Sequence, residues 1–148
     1  MNKGPATSRR SRSRELLAQA LYQAQLTGQE HAELSRQFAE RDEYARVDQD
    51  WFREILKGVM AHRAEHEADI AGFADRPFDQ IDPVEIAVLL VGLEELRHHP
   101  EVPFRVVINE AVSVARRYGA EDGHKYVNAI LDKAAARYRQ PEKAVVRR

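Results

Sequence analysis

The chain has no cysteine, which excludes disulfides and thiolate metal sites. It also lacks a long apolar run: the longest uncharged one is "IAVLLVGL", far too short to cross a bilayer. The basic N-terminus is not followed by an apolar stretch, so it does not read as a secretory signal, and the expected compartment is the cytoplasm. Sustained period-two alternation is missing, which leaves no case for strands. No Gly-rich phosphate loop occurs, and no serine sits in a nucleophile-elbow setting. Nothing in the sequence assembles a catalytic constellation, and no enzyme activity or cofactor is expected.

What the sequence does have is charge, unevenly placed. Its 148 residues carry 23 Lys and Arg against 24 Asp and Glu, a formal net charge of −1. Residues 1–14 nevertheless hold five basic side chains and no acid, and residues 137–148 hold five against one. The body between them is therefore strongly acidic, about −10. Basic ends suit a polyanion, and an acidic body suits solvent or a basic partner.

The length fits one domain with a real core. Residues 1–8 read as a flexible basic arm, 9–140 as a single helical domain and 141–148 as a basic tail. A first helix is expected from about Arg9 to Leu26, with Leu17, Ala20, Leu21 and Ala24 at helical spacing and Gly28 as its stop. A weaker helix covers about 30–41. A third starts at Asp48 and runs as one piece to about Phe73. "DRPFDQIDP" is the main break, and it divides the domain into subdomains of about 9–73 and 82–140. Three well-marked helices follow: one entered through Asp82-Pro83 and ending near His98, one between Pro103 and Gly119, and one running to about Arg139. The fold class is all-α, with six to seven helices.

Two stretches carry chemistry. In "SRRSRSRELLAQALY" a helix puts Arg10 and Arg14 on one face, Arg9 and Arg12 beside it, and Tyr22 two turns further along the same side. Guanidinium groups clamp phosphates and an aromatic ring stacks on an unpaired base. A solubilising arm with a core tyrosine is the plainer reading of the same residues. In "YGAEDGHKYVNAILDK" one interhelical corner collects Tyr118, Asp122, Lys125 and Tyr126, a set suited to single-stranded RNA; a well-capped helix with half-buried tyrosines is the plainer alternative. In "HRAEH", His62 and His66 have the spacing of a zinc helix, but Arg63 stands where H-E-x-x-H chemistry needs a glutamate. They read as exposed helix histidines, and no metal site is expected. His98 and His99 sit at a helix end, where the dipole favours a cation.

Three segments together resemble the NusB family of bacterial transcription antitermination factors: "RRSRSRELLAQALYQAQL", "WFREILKGV" and "VPFRVVINEAVSVARRYGAEDGHKYVNAILDK". The last is the most specific, with "INEAV", "GAED", "HKYVN" and "LDK" in family order and spacing. The resemblance implies an all-helical fold of two packed three-helix-type bundles. It further implies binding of the boxA element of nascent ribosomal RNA together with NusE, a small-subunit ribosomal protein, and assembly with NusA and NusG on RNA polymerase. Carried onto this chain, Arg10, Arg12 and Arg14 would hold phosphates, with Tyr22, Tyr118 and Tyr126 as aromatic contacts and Lys125 as a further phosphate contact. Asp122 would sit at the same surface, accepting from a base edge and restraining affinity by repelling phosphate. NusE would dock on the second half of the chain, at Glu85, Ile86, Leu90 and Glu95.

The chain departs from the family where Ile86 and Leu90 replace residues that are often basic, making "IAVLLV" apolar nearly all round. That stripe is either covered by neighbouring chain or open to self-association. Serines at 11 and 13 also interrupt the basic run. Two rival functions remain at this level. One is the similar helical domain of ribosomal-RNA cytosine methyltransferases, which requires this chain to be a fragment. The other is a protein-interaction module without RNA binding.

Overall fold

The computed structural model describes residues 6–142, with side chains from residue 9 onward. The expected arm of residues 1–8 lies outside the described residues except for 6–8, whose backbone already belongs to the first helix. Of the expected tail, 143–148 lie outside them as well. The described residues hold seven complete α-helices and no strand: α1 (Ala6–Thr27), α2 (His31–Ala39), α3 (Gln49–Ala61), α4 (Arg63–Phe73), α5 (Pro83–His98), α6 (Phe104–Tyr118) and α7 (Gly123–Tyr138); residues 140–142 are helical as well. Short 3-10 turns cover Asp42–Arg46 and Phe78–Gln80.

The helix ends follow local chemistry. Asp48 accepts from the Trp51 amide at 3.0 Å and Asp82 from the Val84 amide at 2.8 Å, with Pro83 in the first turn of α5. Gly28 stops α1 in the left-handed region at φ 73°, where a side chain would be strained.

One expected helix is two. The stretch 48–73 breaks at His62, whose φ of −107° and ψ of 17° end α3 and start α4. The physical reason is tertiary: α3 packs against α1 and α5, whereas α4 turns to lie on α5 and α7. By packing, α1, α2 and α3 form one group and α5, α6 and α7 the other, with α4 attached to the second. A single hydrophobic core runs through both groups.

Helix α5 is the centre. Every residue from Glu85 to Leu96 is buried, which is why its sequence is apolar nearly all round. Ile86 and Leu90 are therefore core residues, so the open apolar stripe does not exist. Three carboxylates share this burial. Glu95, 1% exposed, receives Nε and Nη2 of Arg14 in a bidentate pair at 2.8 Å each, and Arg14 also reaches Glu110 at 3.1 Å. Burial opposes the Arg14 charge, but the bonds and charge of Glu95, then of Glu110, outweigh it and raise its pKa. Arg139, counted with the basic C-terminal end of the chain, is buried too. It donates to the carbonyls of Glu95, Leu96, His99 and Val102 at 2.9–3.1 Å, closing the C-terminal end of α5. Glu94 and Glu85 each press against a glycine, Gly58 and Gly123, where an added Cβ would collide with the carboxylate.

Breaking the central pair has a defined cost. Arg14→Met leaves the Glu95 carboxylate buried and unpaired, an expected loss of about 3–5 kcal/mol by urea denaturation; Arg14→Met with Glu95→Leu is expected to recover most of it. The pH dependence of Glu85 follows from its surroundings. Burial first, then the Asp82 carboxylate, raises its pKa above the ordinary 4.5, against the pull of Arg76. A raised carboxyl binds its proton more tightly folded than unfolded, so its contribution is present at low pH and lost as pH rises through the folded value. Glu85→Gln is therefore expected to be more stable than the parent at pH 7 in thermal melts, the gap closing as pH falls toward 4.5.

Candidate nucleic-acid interface

The arginines of α1 do not share one surface. Consecutive residues step about 100° around a helix, so Arg9 to Arg14 fan through its whole circumference. Arg14 points inward to Glu95 and has no surface left for a phosphate, a correction to its expected role. Arg10, on the same stripe, lies over Trp51 with its guanidinium carbon 3.9 Å from the ring centroid, and pairs with Asp48 at 3.7 Å. The stripe expected to face RNA is thus turned toward α3, and Arg10 is only partly open. Ser13, fully buried, donates to the Asp48 carbonyl at 2.7 Å and holds that contact in register.

Arg12 faces the other way. It is exposed and lines a groove of about 420 Å³ with Glu15, Gln19, Arg46, Arg117 and Tyr118. Arg117 pairs with Glu15, and the Tyr118 hydroxyl donates to the same carboxylate at 3.3 Å. Arg12 and Arg46 form no ion pair among the described residues. A second groove of about 410 Å³ adjoins the first, sharing Gln19 and Tyr118, and adds Tyr22, Gln23, Leu26, Arg41 and Val84. Arg41 donates to Gln19 Oε1 at 2.8 Å, which ties the segment after α2 to α1. Tyr118 and Tyr22, 45% and 38% exposed, offer ring faces within this second groove. One end of the pair of grooves carries three arginines against Glu15 and Glu43, and the other holds Tyr22, Tyr118 and Leu26. A backbone of phosphates fits the first and splayed bases the second.

The remaining candidates form a separate corner. A third pocket, about 560 Å³, is lined by Arg76, Asp82, Glu85, Asp122 and Tyr126. Asp122 enters α7 at φ 68°, a left-handed position that Asp tolerates, and pairs with Lys125 at 3.3 Å, both side chains largely exposed. Tyr126 is half-buried; Arg76 covers its ring at 4.2 Å and its hydroxyl is buried with no partner. Stacking on Tyr126 requires Arg76 to move aside.

The expected docking residues for a protein partner are corrected as well. Glu85, Ile86, Leu90 and Glu95 are all buried, Glu95 is spent on Arg14, and Glu85 reaches only the wall of the third pocket, so the four do not form a docking face. The histidine reading changes in the same way. His66 is fully buried rather than exposed, and with His62 it contacts Glu94. Conversely, Arg41, Arg46 and Arg117 were not singled out from the sequence. Arg117 lies beside Tyr118 in "ARRYG", a visible neighbour, but Arg41 and Arg46 come from a segment whose placement against α1 has no local signal.

Comparison with known proteins agrees with this architecture. The NusB family profile matches residues 11–136. The chain is 47% identical over 135 residues to the transcription antitermination protein NusB of Paraburkholderia phymatum, covering 91% of this chain and 93% of the relative. It is 44% identical over 135 residues to the protein of the same name from Nitrosomonas eutropha, covering 91% and 81%. The solved structure of T. maritima NusB superimposes with a TM-score of 0.75 at 28% identity, covering 86% of this chain and 90% of that one. With an all-helical fold, a profile match along most of its length and relatives of this identity, the chain belongs to the NusB family.

Proposed function

We propose that this chain is a cytoplasmic antitermination factor that binds boxA-type single-stranded RNA of nascent ribosomal transcripts together with NusE, and joins NusA and NusG on RNA polymerase. The NusB family consists of transcription antitermination factors rather than enzymes, and the relatives carry that name. No helix among the described residues is long and apolar enough to cross a membrane.

The observation that carries the RNA assignment is the continuity of the two grooves through Gln19 and Tyr118, with cations at one end and open tyrosines at the other. A single strand laid along them meets Arg46, Arg12 and Arg117 first and Tyr118, Tyr22 and Arg41 next. The burial of Arg14 removes it from the phosphate contacts without weakening the reading, because the tertiary fold supplies Arg46 and Arg41 in its place. Asp122 lies at the far corner, where its exposed carboxylate repels phosphate and holds affinity down. NusE, a basic protein, is drawn to the acidic body through side chains other than the four buried ones.

The test is fluorescence anisotropy of a labelled boxA-type RNA against a scrambled one, with and without NusE. If about four arginines neutralise phosphates, log K is expected to fall with log salt at a slope of roughly −3, and Arg12→Ala or Arg117→Ala to flatten it by about 0.7 each. Tyr118→Ala is expected to cost about 1–3 kcal/mol of binding. A slope near zero, or equal binding of both RNAs with NusE present, would defeat the assignment. Asp122→Asn keeps a residue that tolerates the left-handed backbone and removes the repulsion, so tighter RNA binding with an unchanged melting temperature is the expected outcome.

A further inference from the structure

The grooves leave unexplained a group of histidines on the α4 side of the molecule. His62 and His66 stand one turn apart at the start of α4, and Glu94 and His98 stand one turn apart in α5. The two helices pack together, so the two pairs face each other. One ligand atom from each of the four lies within 4.8 Å of the other three. Glu94 Oε1 takes His66 Nε2 at 2.8 Å and His62 Nδ1 at 3.0 Å, and the His62 and His98 rings stack at 4.0 Å between centroids, 20° apart.

Hydrogen bonding alone does not account for this arrangement. His66 is fully buried, yet its Nδ1 has no partner. Glu94 remains the anion: burial works to raise its pKa, but bonds from His66 and His62 and the nearby imidazoles outweigh that and lower it. Three imidazoles and one carboxylate, with their ligand atoms this close, are a donor set suited to a borderline divalent cation. The set carries one negative charge, which a dication more than neutralises inside a buried site.

We propose that His62, His66, Glu94 and His98 form a zinc(II) site that clips the junction of α3 and α4 to α5. Zinc holds His nitrogens at about 2.0–2.1 Å, which places tetrahedral ligand atoms about 3.3 Å apart. To reach that spacing the ligand atoms close up from separations of up to 4.8 Å, and the stacked His62 and His98 rings part. His98 Nε2 turns away from Glu65, 3.0 Å distant, and Glu65 keeps its pairing with Arg97 at 3.3 Å. Glu94 Oε2, 3.9 Å from His99 Nε2, stays behind the site as an outer contact. The partly exposed rings of His62 and His98 form the entry side, and His66 and Glu94 the buried wall. Four protein ligands close the tetrahedron, and with Arg63 in place of a catalytic glutamate the site is structural.

The probe is zinc chloride alone, titrated into tag-free, chelator-stripped full-length protein against a chromogenic zinc chelator. The expected result is one zinc per chain with submicromolar affinity, a higher melting temperature on binding and, with cobalt(II) substituted, the intense visible bands of a tetrahedral complex. His98→Ala and His62→Ala, both on the exposed side and compatible with folding, are expected to weaken binding by on the order of 100-fold or more. A protein carrying His31→Ala and His124→Ala, outside the cluster, is expected to bind as the parent does. Equal zinc affinity in parent and His98→Ala, loss of binding in the His31/His124 control, or octahedral cobalt spectra would each overturn the proposal.

Discussion

The structure depends on a central helix that is buried all round and yet carries three carboxylates. An ionised carboxylate removed from water is stable only beside a cation or several donors, so each of these dictates what lies against it. Glu95 brings in Arg14 from α1, 81 residues away, and its backbone carbonyl helps to bring in Arg139 from beyond α7. Glu94 gathers His62 and His66 at the start of α4. Glu85 sits near Arg76 and against Gly123, where α7 begins. Apolar packing holds the helices together without direction, and these polar contacts fix their relative positions.

The same constraint decides what remains for function. Arginines drawn inward by α5 are lost to the surface: Arg14 and Arg139 belong to the basic ends of the chain by position and to the core by contact. Four surface cations converge from three places: Arg12 on α1, Arg117 at the end of α6, and Arg41 and Arg46 between α2 and α3. Only the first of these segments is strongly basic as a stretch. Their convergence beside Tyr118 and Tyr22 makes the surface suited to a polyanion with unpaired bases, in a chain whose net charge is −1.

Periodicity and capping residues made the helices legible, since both act within a few residues. Asp48, Asp82-Pro83 and Gly28 each govern their own backbone, and the helices they bound are found where their spacing places them. The break at His62 has no such signal, because neither proline nor glycine marks it; it arises from the packing of α4 on α5 and α7. Tyr22, Tyr118 and Arg12, candidates from the sequence, are exposed, although Tyr22 was assigned to the stripe of Arg10 and Arg14, which turns inward. Arg14 was misjudged because its partner lies 81 residues away.

By itself, then, the sequence determined the all-helical class, most helix boundaries, the absence of disulfides, the uneven charge and the family. All of these follow from interactions between near neighbours or from the order of motifs along the chain. Only the tertiary structure decided which charges are buried and which are free. Burial of a charge depends on the partner that folding brings beside it, and Glu95 for Arg14, or Glu94 for the histidines, is set by how α1 and α4 meet α5.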